Sequence, residues 1–357
     1  MTKGPLVVLS VITASVALAS IARAVDRPQE IALDAVHRMQ ATPHLTLNPS
    51  ELPDTSTTDS TAQPGEGTSP GDHPVLTLDA GGTASRIHGF GDLRFATAYM
   101  TPRGVVVENQ GLVTQPLAGL VFDVYQGTGP INDISLVAGI WSSLHTHHPG
   151  ASLWNECDFF GTADVKFLSK WDLATTIGIW TYPGTPDHTP GLHTQYELDS
   201  KLSYDDSDMF IKGFAFNPYL DFFWDCGGHE GEASFTAQAF KTFYVEVGIT
   251  PTYTVTAITN LPITLSMPTY IQVGDSSFWG DASPTDSSRS SLGAFSTGLK
   301  ASVPLSFIPK DYGAWNAYVG VTYLYECNAE LVNLSDLAGS GHDHNRVVGY
   351  AGIGFGF

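Results

Sequence analysis

Residues able to do chemistry occur in this chain in separate groups, and none has the spacing of an enzyme's machinery. His145-x-His147-His148 and His342-Asp343-His344 bring imidazoles and a carboxylate together in two polar stretches. Such donors suit zinc or copper, but neither a helical register nor a Cys-x-x-Cys spacing fixes a site, and solvated loop histidines are the plainer reading. Cys157, Cys226 and Cys327 are an odd number for an exported chain, so at most one internal disulfide forms. The stretch from Asp225 to Glu230-Gly231-Glu232 offers oxygens for calcium without the ligand spacing of an EF-hand. Serines are plentiful, and His88 shares a strand face with Asp92, yet nothing resembles a nucleophile elbow. These residues imply no cofactor.

A different chemistry lies in charges that alternate with apolar side chains. Asp158, Thr162, Asp164 and Lys166 interleave with Phe159, Ala163, Val165 and Phe167. Tyr196, Leu198, Leu202 and Tyr204 oppose Glu197, Asp199 and Lys201, with a slip in phase expected near Ser200. Phe243, Val245, Val247 and Ile249 oppose Glu246 and Gly248. Side chains in a strand alternate faces, so each stretch has one apolar and one polar side. If the polar sides face a water-filled lumen, they set a field across it and tune ion selectivity. The lining expected on this basis is Arg86, Arg94, Asp164, Lys166, Glu197, Asp199, Lys201, Asp221, Glu246 and Lys300. Arg103, beside Gly104, falls in the first outer loop and is expected at the mouth. The lumen has two readings at this point: an open bore, or an interior filled by its own side chains and loops.

The elements that position these residues are strands. Twelve segments with strand character run between Arg86 and Phe357, the last of them Arg346–Phe357. Each reaches the roughly 9–11 residues that cross a bilayer at a tilt. The connections alternate as well. Short links such as Ser169–Asp172 and Asp205–Asp208 follow even-numbered strands, and long ones such as Pro183–His193 and Cys226–Lys241 follow odd-numbered strands. Tight turns on one side and long loops on the other fit an antiparallel outer-membrane barrel better than a soluble sandwich. Its ends agree. Lys3, an apolar run from Leu6 to about Ala19 and Ala22-Arg23-Ala24 read as an export signal over residues 1–24. Residues 25–84, rich in Pro, Ser, Thr, Gly and acids in their second half, read as a disordered tether; Gln29 to Met39 has the weak apolar stripe of one short helix, but a frayed tether is the plainer reading. The barrel then occupies residues 85–357. Phe355 and Phe357, alternating with Gly354 and Gly356 at the carboxyl end, read as the signal recognised by barrel-assembly machinery.

Composition narrows the function. The chain has a net charge of −20, 15% charged residues, 11% aromatics and 36 glycines. Its mean hydropathy is zero, as expected where lipid-facing apolar residues alternate with lumen-facing polar ones. The negative charge makes nucleic acid a poor partner and favours cations at an acidic lumen. The expected partners are outer-membrane lipid, small hydrophilic solutes or cations, and a further copy of the chain as an open alternative.

The first hairpin, Ala96-Thr97-Ala98-Tyr99-Met100-Thr101-Pro102-Arg103-Gly104 leading to Gln110-Gly111, resembles the opening of TorF-type porins. The likeness continues through Gly139-Ile140-Trp141-Ser142-Ser143, the acidic pair Glu156 and Asp158, and Tyr182-Pro183-Gly184, over the first half of the barrel. The long acidic linker and the insertions at Cys226–Lys241 and Cys327–Asn345 depart from that pattern and put ligand preference in question. The resemblance implies an outer-membrane diffusion pore without catalytic residues. A non-conducting adhesin or structural barrel, and an enzyme with its site at the rim, are the alternatives.

Overall fold

The computed structural model describes residues 30–31, 86–101, 104–147, 153–183, 194–207, 209–228, 243–255, 262–274, 278–279, 291–337 and 339–357. The twelve strands are β1 (Ile87–Ala96), β2 (Val113–Gln126), β3 (Ile131–His145), β4 (Trp154–Phe167), β5 (Trp171–Thr181) and β6 (Gln195–Tyr204). They continue with β7 (Phe214–Ala215 and Pro218–Gly228), β8 (Phe243–Ile249 and Thr252–Val255), β9 (Ile263–Ser266 and Thr269–Gly274), β10 (Leu292–Pro304), β11 (Ala314–Glu326) and β12 (Asn345–Gly356). The last of them, expected over Arg346–Phe357, is displaced by one residue at each end.

Every strand pairs antiparallel with its neighbours in sequence, and β12 returns to β1, so the sheet closes into a twelve-stranded barrel. The closing register runs from Tyr350↔Ala96 to Gly356↔Phe90. Beyond it, the Gly89 N–H donates to the Phe357 carbonyl at 2.8 Å and the Phe357 N–H to Gly89 at 2.9 Å. Closure leaves no open edge, which removes the unpaired backbone groups that an edge strand exposes.

The strand faces follow the alternation. Inward residues are buried, while Leu93, Leu120, Ile140, Phe159, Ile177 and Val247 stand exposed on the outer face. No phase slip occurs at Ser200. Register with β5 is continuous through Thr175↔Ser200, and the two hydroxyls meet at 3.3 Å on the outer face. A polar residue there interrupts the hydrophobic pattern without interrupting the strand.

Interruptions do occur where β7, β8 and β9 break side by side, at Asn217-Pro218, Thr250-Pro251 and Met267-Pro268. Proline has no ladder N–H to give. Asn217 has φ +49°, and Asp206 Oδ1 accepts the N–H groups of Phe216 and Asn217, each at 2.8 Å. Met267 N–H to the Pro251 carbonyl, 2.8 Å, carries the ladder across the break.

Glycines and aromatics interlock around the barrel. A Cβ added at Gly119 would lie 2.4 Å from the Phe90 ring, and one at Gly139 would lie 2.2 Å from Phe160. Tyr219 covers Gly248, Tyr350 covers Gly320 and Tyr318 covers Gly352 in the same way. Each pair is directly opposed across two strands. At the closing seam, Phe355 lies over Gly91 and Phe357 over Gly89. The role the structure gives these terminal aromatics, expected as an assembly signal, is packing at the joint.

Among residues 1–85 only Glu30–Ile31 is described. It falls within Gln29–Met39, the stretch with the weak helical stripe, and is extended, parallel to Tyr99–Met100. The export signal and the rest of the tether lie outside the described residues.

Replacing Gly91 with Val forces a side chain into the Phe355 ring, 2.5 Å from the added Cβ, whereas Gly129 has nothing within 4 Å. Gly91→Val should destabilise the barrel by roughly 1–3 kcal/mol, the usual cost of overpacking. Gly129→Val should be neutral. Urea unfolding of the refolded barrel, followed by heat-modifiable gel migration, compares the two.

Candidate functional site: the bore

The bore is lined by every second residue of each strand, so its chemistry follows from strand register. Around β4–β8 the inward face carries Glu156, Asp158, Asp164, Asp172, Glu197, Asp199, Asp221, Asp225 and Glu246, with Lys166 and Lys201 among them. Around β10–β12 and β1 it carries Lys300, Arg346 and Arg94, with Glu326 and Asp92. One side is acidic and the side facing it has most of the remaining cations. A charge difference across a low-dielectric wall gives a field transverse to the bore. Arg86, expected among the lining residues, instead precedes β1 and is exposed at the short-turn end.

Three of the inward cations rest on tyrosine faces. Lys201 Nζ is 3.9 Å from the Tyr219 ring centroid, Lys300 Nζ is 4.3 Å from Tyr318, and Arg94 Cζ is 4.4 Å from Tyr350. Each contact stabilises a cation in poorly hydrated space and holds it back against the wall. The same tyrosines orient acids. Tyr219 Oη donates to Glu246 Oε1 at 2.7 Å, and Tyr318 Oη donates to Asp92 Oδ1 at 2.6 Å. Gln272 Nε2 donates to the second Glu246 oxygen at 3.1 Å. Register makes Lys201, Asp221, Glu246 and Gln272 one continuous row across four strands.

At the long-loop end, the β1–β2 connection folds into the bore. Tyr99–Met100 and Val106–Glu108 form a short hairpin, and Tyr99, Met100 and Val106 are each 0% exposed. The Tyr99 ring lies 5.9 Å from Trp141 and 5.3 Å from His145, and its hydroxyl donates to Glu156 on β4. At the other end, a Cβ at Gly104 would be 3.3 Å from the Cβ of Ala294 on β10. In a ring of twelve, β4 and β10 stand opposite each other, so this hairpin crosses the bore. Helix α1 (Ala329–Leu337), in the β11–β12 connection, packs against it with Leu331, Val332 and Leu334 buried. Arg103, expected at the mouth, lies outside the described residues; Gly104 beside it is buried. The turn at Pro102–Gly104, followed by Val105-Val106-Val107, was the available sequence signal for a hairpin within the loop.

Among the described residues the two histidine groups are not brought together. His145 is buried, with Nε2 2.8 Å from Ser143 Oγ. His147 lies 3.1 Å from Glu108 Oε2. His342 is exposed, 3.9 Å from Asp336, and His344 Nδ1 donates to the Glu326 carbonyl at 2.7 Å. Asp343 accepts the Asn345 N–H at 2.9 Å, which holds its carboxyl below the ordinary value. No group of three His, Cys, Asp or Glu able to hold a metal occurs among the described residues, and His148 is not one of them. All three cysteines are free thiols. His88 meets Asp123 at 3.0 Å rather than Asp92. Residues Glu230–Glu232 lie outside the described residues.

Expected lining residues Arg94, Asp164, Lys166, Glu197, Asp199, Lys201, Asp221, Glu246 and Lys300 all lie on inward strand positions. Glu156, Asp158, Asp172, Asp225, Glu326 and Arg346 are inward too but were not among those expected. Glu156 fell outside its expected strand, because β4 begins at Trp154. Extending the alternation by one turn of the pleat recovers it.

No family model and no curated protein matches the chain. Solved structures do. A COG4313 outer membrane channel from Pseudomonas putida F1 is 10% identical, with TM-score 0.39 over 77% of this chain and 97% of that one. The beta domain of the Bordetella autotransporter BrkA is 9% identical, with TM-score 0.39 over 75% and 98%. A bacterial polysaccharide outer membrane secretin is 9% identical, with TM-score 0.39 over 76% and 98%. The barrel itself is established by its own strand pairing.

Tyr99→Phe removes the hydroxyl that donates to buried Glu156. Losing a hydrogen bond to a charged group should cost about 1.5–3 kcal/mol. Chemical denaturation of the folded barrel, against Tyr253→Phe on the exposed outer face, reads the difference.

Proposed function

We propose that this protein is an outer-membrane channel for passive diffusion of small hydrophilic solutes and ions, with a preference for cations. Placement in a membrane follows from the closed strand ring and its apolar outer face, since only a closed barrel satisfies every strand backbone group in lipid. No helix among the described residues is long and apolar enough to cross a membrane.

One observation supports an interior wider than its wall side chains fill, although the charged lining is itself covered (Arg94 2%, Glu197 3% and Asp221 0% exposed), so conduction requires displacement of what covers it. The large inward rings of Phe90, Phe160, Tyr219, Tyr318 and Tyr350 lie over glycines of the neighbouring strand. They lean along the wall instead of standing across the lumen. Eight strands are just filled by their side chains, and twelve enclose a wider space. The acidic face of β4–β8 concentrates cations in that space, while the lysines and Arg94 are drawn back onto tyrosines. The solutes need no cofactor and no chemical step, because width and field do the sorting.

A second reading is favoured by the hairpin that crosses the outer end between β4 and β10. With this crossing permanent, the barrel is a non-conducting anchor or adhesin. Planar-bilayer recording of the refolded protein in a salt gradient separates the two. The channel reading expects steady conductance with a cation-biased reversal potential, and Glu197→Lys should move that potential toward zero. A folded barrel that never conducts, in the native form and with the hairpin removed, would sink the channel reading.

A further inference from the structure

Away from Tyr99, the crossing hairpin is tied to the barrel wall through the buried hydroxyl of Ser335. Ser335 Oγ, on α1, accepts the Val106 N–H of the hairpin at 2.9 Å and donates to Glu326 Oε1 on β11 at 2.7 Å. Ser335 and Glu326 are each 0% exposed. Arg346 on β12 backs this arrangement. Its Nη2 lies 3.5 Å from the other Glu326 oxygen, and its guanidinium donates to the carbonyls of Ser340 at 2.7 Å and Gly341 at 2.6 Å. Ser340 in turn donates through Oγ to the Val106 carbonyl at 3.1 Å. Both backbone groups of Val106 are therefore held from the last connection of the chain. A carboxylate that orients a hydroxyl, which receives a backbone N–H, is a charge-assisted relay in a dry site.

We propose that Ser335 is the positioning residue of a plug: the Glu326–Ser335–Val106 relay holds the β1–β2 hairpin across the bore, and its release opens the conducting path. This rests on the channel reading. The hairpin is attached to the wall at both ends of its span, through Tyr99 at β4 and through Val106 and Gly104 near β10 and β11. Release on the Ser335 side leaves it hinged on the Tyr99 side. The relay thereby sets how much of the bore is open, without contacting solute.

The test uses the full chain with Cys157, Cys226 and Cys327 replaced by Ser. Ser335→Ala removes the relay and should raise the open-to-closed ratio in bilayer recordings roughly fivefold, the effect of losing the one neutral hydrogen bond that it makes to the Val106 N–H. Asn333→Ala, on the exposed face of the same helix, should leave it unchanged and controls for general loosening of α1. In parallel, Gly104→Cys with Ala294→Cys places the two Cβ atoms about as close as a disulfide requires. Oxidation should shut the channel in both backgrounds, and reduction should restore the difference. Gly104 has φ +101°, so a side chain there is strained, and amide hydrogen exchange over residues 99–108 gives a readout that does not need it. Ser335→Ala should speed exchange there and leave β3–β6 protected.

Unchanged gating and unchanged exchange in Ser335→Ala would overturn the proposal, as would a folded double-cysteine barrel that conducts identically oxidised and reduced. Should no form conduct, the channel reading fails, and hydrogen exchange alone then decides whether Ser335 holds the hairpin.

Discussion

The joint between β12 and β1 is the constraint on which the rest of this structure depends. A sheet of twelve strands closes only if its last strand meets its first in one register, and a slip of one residue would turn every side chain to the wrong face. Two features fix that register here. Phe355 and Phe357 lie over Gly91 and Gly89 on the outer face, and the Gly89–Phe357 backbone pair closes the ladder at its end. A bulkier residue at either glycine displaces a ring that closes the wall. With the joint fixed, inward and outward faces are assigned for the whole barrel, and with them the acidic and cationic sides of the bore.

Glycine beneath an aromatic ring recurs inside the barrel and has an opposite consequence there. At the seam it fastens two strands. In the lumen it lets a large side chain lie flat. Phe90, Phe160, Tyr219, Tyr318 and Tyr350 would narrow the bore if they pointed toward its axis, but each is laid along the neighbouring strand. The tyrosines then offer their faces to Lys201, Lys300 and Arg94, and two of them give their hydroxyls to Glu246 and Asp92. Packing, charge placement and bore width are therefore set by the same few contacts.

The two ends of the barrel differ in kind. At the short-turn end the wall is irregular, with β7, β8 and β9 broken side by side and Asp206 capping freed N–H groups. At the long-loop end the first and last connections fold inward and meet. The hairpin from β1–β2 and α1 from β11–β12 are distant in sequence, yet Ser335 joins Val106 to Glu326. In the proposed channel, passage through the middle of the barrel is a matter of wall chemistry, and passage through its outer end is a matter of how firmly that junction holds.

Alternation was enough to read the wall from the sequence. Period-two patterns in β4, β6 and β8 separate lumen from exterior, and Asp164, Glu197, Asp199 and Glu246 followed directly, because the pleat leaves a side chain only two faces. Ser200 shows the limit in one direction: a polar residue on the outer face looks like a phase slip until the β5 register is known. Glu156 shows the limit in the other, since a strand end is invisible where the flanking loop is also polar. What alternation cannot give is anything that depends on residues far apart in the chain. That Arg346 stands behind Glu326, that His145 faces Tyr99 and Ser143 rather than His344, and that Gly104 reaches Ala294 across the bore were decided only when the ring closed. Local pattern fixes which face a side chain takes, and long-range packing fixes which side chains share that face.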